Sequence, residues 1–358
     1  MIKRSYIIAA FAAAAALLAG CNKSVPSEEG DEISFAAESA EAADSEQSAA
    51  TRAVKTTNDN IKSAPFGIYG AYSSTKGAAN TTNVFDHTSA VKVEFTTVDG
   101  ETNWFYSQSD SEGKKYYWKR NMYYRFRAYH PYDAEVNTGG SSADRISINY
   151  RILDDDSDLL VAFATRHPAE EGYGRVEMKF QHALSALRFR IAFAPDYTPQ
   201  DERDTLTHFC VKGLEVAGNM VYSHTGDYLT PQIKWSGDAF DGETEFYASE
   251  VERTFGVKGY TPAGGTAVEP VDVYGTGSGD NVVFAIPQTC SDSEHTGTYV
   301  HFTTKLGGHA DHSVKLPQIV WEPGKIYTYN LLIKKAEVYV VVTISEWKEV
   351  QSTVNIYL

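Results

Sequence analysis

Cysteine is scarce in this chain: 358 residues carry three, at positions 21, 210 and 290. Cys21 follows the leader segment, which leaves Cys210 and Cys290 as one disulfide in an oxidising compartment or as two buried thiols; the sequence leaves both open. Bases are outnumbered, with 32 Lys and Arg against 47 Asp and Glu and a formal net charge of −15. Such a chain repels a polyanion, so nucleic acid is excluded as a partner. The acidity reads as solubility in an exposed setting. Helical periodicity is missing beyond the first twenty residues. Short alternating runs separated by Gly, Asn, Asp and Ser take its place, which points to an all-β chain. Catalytic signatures are missing too. Ser73-Ser74-Thr75-Lys76 fits S-x-x-K without the K-T-G or S-D-N that should accompany it. Asp154, Asp155, Asp156 and Asp158 lack the Gly and terminal Glu of a calcium loop and read as a solvated acidic loop. His309, Asp311 and His312 read as a solvated Gly-rich turn rather than a ligand set. No catalytic residue, cofactor or metal is therefore expected.

What is present is organised around residues 176–193. Val176, Met178, Phe180, His182 and Leu184 fall on one face, and Glu177, Lys179, Gln181 and Ser185 on the other. This is the period of a half-buried strand, with His182 as a core histidine satisfied by its neighbours. At Ala186-Leu187 the phase slips by one. Leu187, Phe189, Ile191 and Phe193 become the apolar set and Arg188 and Arg190 the polar one. A bulge would turn the buried face over; so would a strand that leaves one sandwich and enters another. The second reading is preferred, because the slip lies near the middle of a chain long enough for two domains.

Residues 1–20 read as a signal segment, with Lys3 and Arg4 before an apolar run too short for a comfortable membrane span. Leu18-Ala19-Gly20-Cys21 resembles the bacterial lipobox, which implies acylation of Cys21 and cleavage before it. Several acyl chains hold a protein stably on a membrane. Ser27-Glu28-Glu29 is similar to the acidic surface-export signals of Bacteroidetes lipoproteins, though further from the cysteine than usual. Residues 22–51 are rich in Ala, Ser and Glu and cannot bury enough apolar surface to fold by themselves. Ile33, Ser34 and Phe35 form an island in them, the minimum of a strand. Arg52 is the lone base of a long acidic stretch. On composition alone it is a stray residue in a linker, although exposed linkers are where proteases cut.

Strands are expected at 66–72, 91–95, 104–106, 116–118, 124–130, 146–150 and 159–164, the last a continuous apolar run suited to a central strand. In 124–130, Tyr124, Phe126, Ala128 and His130 alternate with Arg125, Arg127 and Tyr129. After the pivot, 209–216 and 220–222 read as strands, followed by a loop-rich region to Asp280. Further strands are expected at 282–286, 299–304, 326–333 and 338–344. Trp321-Glu322-Pro323-Gly324 fits a type II turn. Val354, Ile356 and Leu358 close the chain in strand-like alternation.

Taken together, LAGC, the 33–35 strand, Thr51-Arg52-Ala53, YRFRAYHPY, DLLVAFA, VEMKFQHALSALRF, VVFAIPQ, WEPGKIYTYNL and VVVTISEW resemble the Bacteroidales fimbrillin family, the Mfa-like pilins. The resemblance implies an all-β fold of two tandem transthyretin-like β-sandwich domains, placed at 53–185 and 186–358 behind the signal segment 1–20 and a removable segment 21–52. It also implies a lipoprotein precursor on the outer membrane and cell surface, cut by an Arg-specific protease between Arg52 and Ala53. The displaced strand would be Ile33-Ser34-Phe35. A neighbouring subunit would fill the gap by β-strand addition, with donor candidates Val350, Thr353, Val354, Ile356 and Leu358. Other fimbrial subunits are the implied partners, with host glycans or proteins as further ones. The alternative is a monomeric, anchored glycan-binding lipoprotein, which the many Tyr and Trp residues would suit.

Overall fold

The structure is a computed structural model in which residues 31–39, 56, 60–85, 89–107, 114–132, 141–152, 158–194, 197, 203–224, 228–241, 245–256, 270–274, 282–290, 297–305, 310–335, 337–347 and 356–357 are described. In chain order the strands of the first half are β1 (Phe35–Ser39), β2 (Phe66–Ser73), β3 (Thr82–Asn83), β4 (Val91–Val98), β5 (Glu101–Tyr106), β6 (Tyr123–His130), β7 (Arg145–Arg151), β8 (Leu160–Arg166) and β9 (Val176–His182). A single helical turn, α1 (Pro168–Glu171), joins the last two. There follow β10 (Ser185–Phe193), β11 (Arg203–Lys212), β12 (Leu214–His224), β13 (Pro231–Asp241), β14 (Phe246–Gly256), β15 (Val271–Asp272), β16 (Val283–Ala285), β17 (Tyr299–Thr304), β18 (Ala310–Lys315), β19 (Lys325–Lys334), β20 (Glu337–Glu346) and β21 (Ile356–Tyr357). The all-β class expected from the alternation is the class observed.

Strands β1-β9-β8-β6-β2-β4-β5, with β3 on β2, form the first sheet. It curls until its two rims meet: the rings of Phe35 on β1 and Tyr106 on β5 lie 6.1 Å apart. One face encloses Phe35, Phe66, Phe126, Phe180, Trp104 and Trp118. The second half pairs β15-β10-β19-β20-β21, with β16 on β10, and faces this sheet with β14-β11-β17-β18. Phe189, Phe209, Phe302 and Tyr329 fill the space between them.

The pivot behaves as a crossing. β9 buries Val176, Met178, Phe180 and His182 within the first sheet. Ala183 and Leu184 are fully buried. From Ser185 the chain runs in the second sheet, parallel to β19 from Ala186↔Ile326 to Phe193↔Ile333. The phase slip is the change of sheet. The turn expected at 321–324 is knitted to it: Gly324 has φ +68°, its N–H donates to the Leu184 carbonyl at 2.9 Å, and Ser185 Oγ donates to the Glu322 carbonyl at 2.9 Å.

Arg125 and Arg127, which alternate with the apolar set along β6, are themselves buried, at 5% and 0% exposed. A third sheet, β13-β12-β7, covers the second face of β6 and buries both. Burial lowers the Arg127 guanidinium to about 10, and it packs over the Phe163 ring and against His224 of β12. That third sheet also crosses the 185/186 division, since β7 pairs with β12 from Ala217↔Arg151 to Ser223↔Arg145. The region expected to be loop-rich up to Asp280 holds β13 and β14, eleven residues each. On β13 Ile233 and Trp235 pack against one core, and on β14 Phe246 and Phe255 enter another. Finally, Asp311 and His312 sit in β18, not in a turn. Asp311 accepts from Thr303 Oγ1 at 2.8 Å, whereas His312 stacks on the core ring of Phe302.

Cys210 and Cys290 are both free and buried. Burial pushes their thiols up to about 11 and about 12.

Candidate functional site

Residues 31–39 are the candidate site, and they are held on both sides. On one side β1 runs parallel to β9, from Phe35↔Val176 to Ser39↔Phe180, and the Val176 N–H donates to the Ser34 carbonyl at 2.9 Å. On the other side the chain meets the extended segment 116–118. The Ile33 N–H donates to the Tyr116 carbonyl at 2.7 Å, and the Trp118 N–H donates to the Asp31 carbonyl at 3.0 Å. The strand is longer than the 33–35 island, because Ala37 supplies a third inward position too small to register as strand-like in the sequence.

Ile33 and Phe35 are 0% and 1% exposed. The Phe35 ring meets Phe66, Tyr106 and Phe126 edge to face at 6.5, 6.1 and 5.2 Å. Burial of a side chain of this size contributes about 1.5–3 kcal/mol. The buried Tyr106 hydroxyl donates to the Ile33 carbonyl at 2.8 Å. Desolvation first, and Glu32 second, raise its pKa well above the ordinary phenol value, so it stays a donor. At the rim Glu32 pairs with Lys115 at 2.8 Å, an exposed contact of little energetic weight.

A second set of contacts lies at the junction of the two halves. Asp158, expected in a solvated loop, is 1% exposed. Its Oδ2 accepts from the backbone N–H of Thr56 at 3.0 Å and lies 2.8 Å from Nδ1 of His182. The His182 ring stacks on Trp347 at 3.9 Å, just beyond β20. The chain just after Arg52 and the chain just before the C-terminal tail are thus tied to the same two side chains. Sequence reasoning placed His182 in the core but missed Asp158 and Trp347 as its partners; no spacing links positions 56, 158, 182 and 347.

Of the residues singled out in the sequence, Ile33, Ser34 and Phe35 are in the site. Ile356 pairs with Val342, and Tyr357 with Val341, so β21 lies on the edge of the second-half sheet beside β20. Cys21, Arg52, Ala53, Val350, Thr353, Val354 and Leu358 lie outside the described residues, as do Asp154, Asp155, Asp156 and His309. Ser73 Oγ donates to the Thr75 carbonyl at 2.5 Å. Among the described residues no helix is long and apolar enough to cross a membrane.

Stacked β-sandwiches with an N-terminal strand laid into the first of them define the class. The chain belongs to the fimbrillin-like family, which matches residues 51–347. A solved fimbrial protein from Bacteroides vulgatus has the same fold, at 15% identity and a TM-score of 0.54, with 88% of this chain and 99% of that one covered. Weaker similarity extends to a fimbrial assembly protein from Parabacteroides distasonis (8% identity, TM-score 0.39, 82% and 91% covered). It extends also to the tip fimbrial protein Mfa3 of Porphyromonas gingivalis, solved with a C-terminal truncation (10% identity, TM-score 0.33, 83% and 97% covered). No functionally curated protein matches.

Proposed function

We propose that this protein is a structural subunit of a cell-surface fimbria. It is exported as a lipoprotein precursor acylated on Cys21, cut by an Arg-specific surface protease between Arg52 and Ala53, and assembled by donor-strand exchange. The observation that carries this reading is β1. It pairs with β9 at the rim of the first sheet and buries Phe35 in that sheet's core, yet it belongs to a segment that a single cut at Arg52 would detach. The family match begins at residue 51, beyond β1, which supports the same division.

Loss of β1 would strip the β9 edge and the 116–118 segment of their backbone partners and open an apolar groove lined by Phe66, Tyr106 and Phe126. An unpaired edge beside such a groove recruits another strand. The donor is the tail, 350–358 of a second copy. Among the described residues of the tail, Ile356 and Tyr357 pair with β20 at the edge of the second-half sheet. Head-to-tail contacts of this kind do not close and give a filament. The aromatic content that prompts a glycan-binding alternative is largely internal: among the described residues the exposed large apolar side chains are Tyr117, Val320 and Tyr339.

The test is limited digestion of the purified precursor with trypsin. The expected result is one new N-terminus at Ala53, followed by oligomers that survive detergent but dissociate on heating. A first cut elsewhere, or a cut product that stays monomeric, overturns the proposal.

A further inference from the structure

β11 carries an irregularity that re-aims its side chains. Its register against both β14 and β17 shifts between Leu206 and His208. In an unbroken strand Leu206, His208 and Cys210 would share one face. The shift leaves Leu206, Phe209 and Val211 in the core between the sheets. His208, Cys210 and Lys212 turn to the other face, away from that core. Bulges recur beside functional sites for this reason.

On that face His208, Cys210 and Glu245 come together. One potential ligand atom from each, two from β11 and one from the residue before β14, lies within 4.8 Å of the others. His208 Nε2 is 3.6 Å from Glu245 Oε2. That is long for a hydrogen bond. It is close to the separation of about 3.4 Å that two ligands keep on one tetrahedral zinc, given metal–ligand distances of about 2.0–2.1 Å. The second carboxylate oxygen, Oε1, is held by Lys212 at 3.2 Å, which fixes the carboxylate and leaves Oε2 turned toward His208. Outer contacts of this kind orient metal ligands. His301 sits across from Cys210 on β17.

We propose that His208, Cys210 and Glu245 form a binding site for a divalent cation of the zinc class. One nitrogen, one sulfur and one oxygen make a borderline-soft set, which disfavours calcium and magnesium. On binding, the Cys210 thiol gives its proton to solvent and its sulfur bonds the metal; nothing is oxidised or reduced. The ion ties the start of β14 to β11 and stiffens the outer sheet of the second half. This site is independent of strand exchange and stands or falls separately from it.

The experiment is titration of the full, tag-free protein with zinc against a chromophoric chelator, repeated for H208A, E245Q, C210S and C290S, and with cobalt as a spectroscopic probe. The expected result is saturable binding with a His208- and Cys210-dependent equivalent, weakened at least 10-fold in H208A and C210S and unchanged in C290S. Cobalt should give a sulfur-to-metal charge-transfer band in the near ultraviolet that C210S loses and C290S keeps. H208A and E245Q change partly exposed side chains, so they report even if C210S folds poorly. Absence of such an equivalent, or equal affinity in H208A and the parent, overturns the proposal, as does a cobalt band that survives C210S.

Discussion

Phe35 holds more of the first core than its place in an acidic, Ala-rich segment suggests. Its ring is the meeting point of β2, β5 and β6. Phe35→Ala should therefore destabilise the uncut precursor by about 3–5 kcal/mol, the usual cost of emptying such a site. On the proposed maturation the same substitution should leave the cut protein unchanged, because the residue departs with its segment. Urea unfolding of both forms, before and after trypsin, measures the difference. A residue of the opposite kind is His130, 4% exposed at the end of β6. Burial lowers its pKa below the ordinary 6.5. Above pH 6.5 folded and unfolded chains both carry the neutral ring, and its contribution to stability is complete. As the pH falls through 6.5 toward the depressed folded value, the unfolded chain takes up the proton first and that contribution is lost. The melting temperature should drop between pH 7.5 and 5.5, and less steeply in His130→Gln.

At the scale of elements the contrast is between β1 and β21. The segment 31–39 has backbone partners on both sides, β9 for β1 and 116–118 for residues 31–33, and buries Ile33 and Phe35; the described residues of β21 pair along the β20 edge. Exchange by displacement needs one firmly bound strand that a protease removes and one loosely held strand that is free to travel. Ile356→Asp should accordingly leave the melting temperature of the precursor within about 1 °C, since its strand lies at the edge of the second-half sheet. It should also abolish detergent-resistant oligomers of the cut protein, because an inward position of the donor would then carry a charge. A synthetic peptide of residues 350–358 should restore stability to the cut form and block its assembly. Thermal melts and gel mobility test both outcomes.

For the whole molecule the third sheet matters most. β12 and β13 reach from the second half over the first sheet, where β12 pairs with β7 and Trp235 Nε1 donates to the Ala183 carbonyl at 2.8 Å. Arg127 and His224 meet beneath them. Trp347 closes the junction from the far side, stacked on His182 and packed against Phe284. Halves joined this way should unfold together. Calorimetry of the precursor should give one transition, with calorimetric and van't Hoff enthalpies in agreement. A fragment of residues 53–185 made alone should be insoluble, since it exposes Tyr69, Tyr129 and Val161 that β12 otherwise helps to cover. Two separate transitions would contradict this account.

The sequence by itself determined the all-β class, most of the strands, the pivot at 185–187 and a strand beginning in the island Ile33-Ser34-Phe35. All of these rest on period-two alternation, which is local and visible in a single chain. It could not determine which strand covers which face. Arg125 and Arg127 alternate with apolar residues as solvent-facing ones would, and only β7 and β12 laid over that face bury them. Nor could it join Thr56 to Asp158, or His208 and Cys210 to Glu245. Those meetings depend on sheet order and on one irregularity in β11, which are decided by the packing of distant segments rather than by the pattern within any one of them.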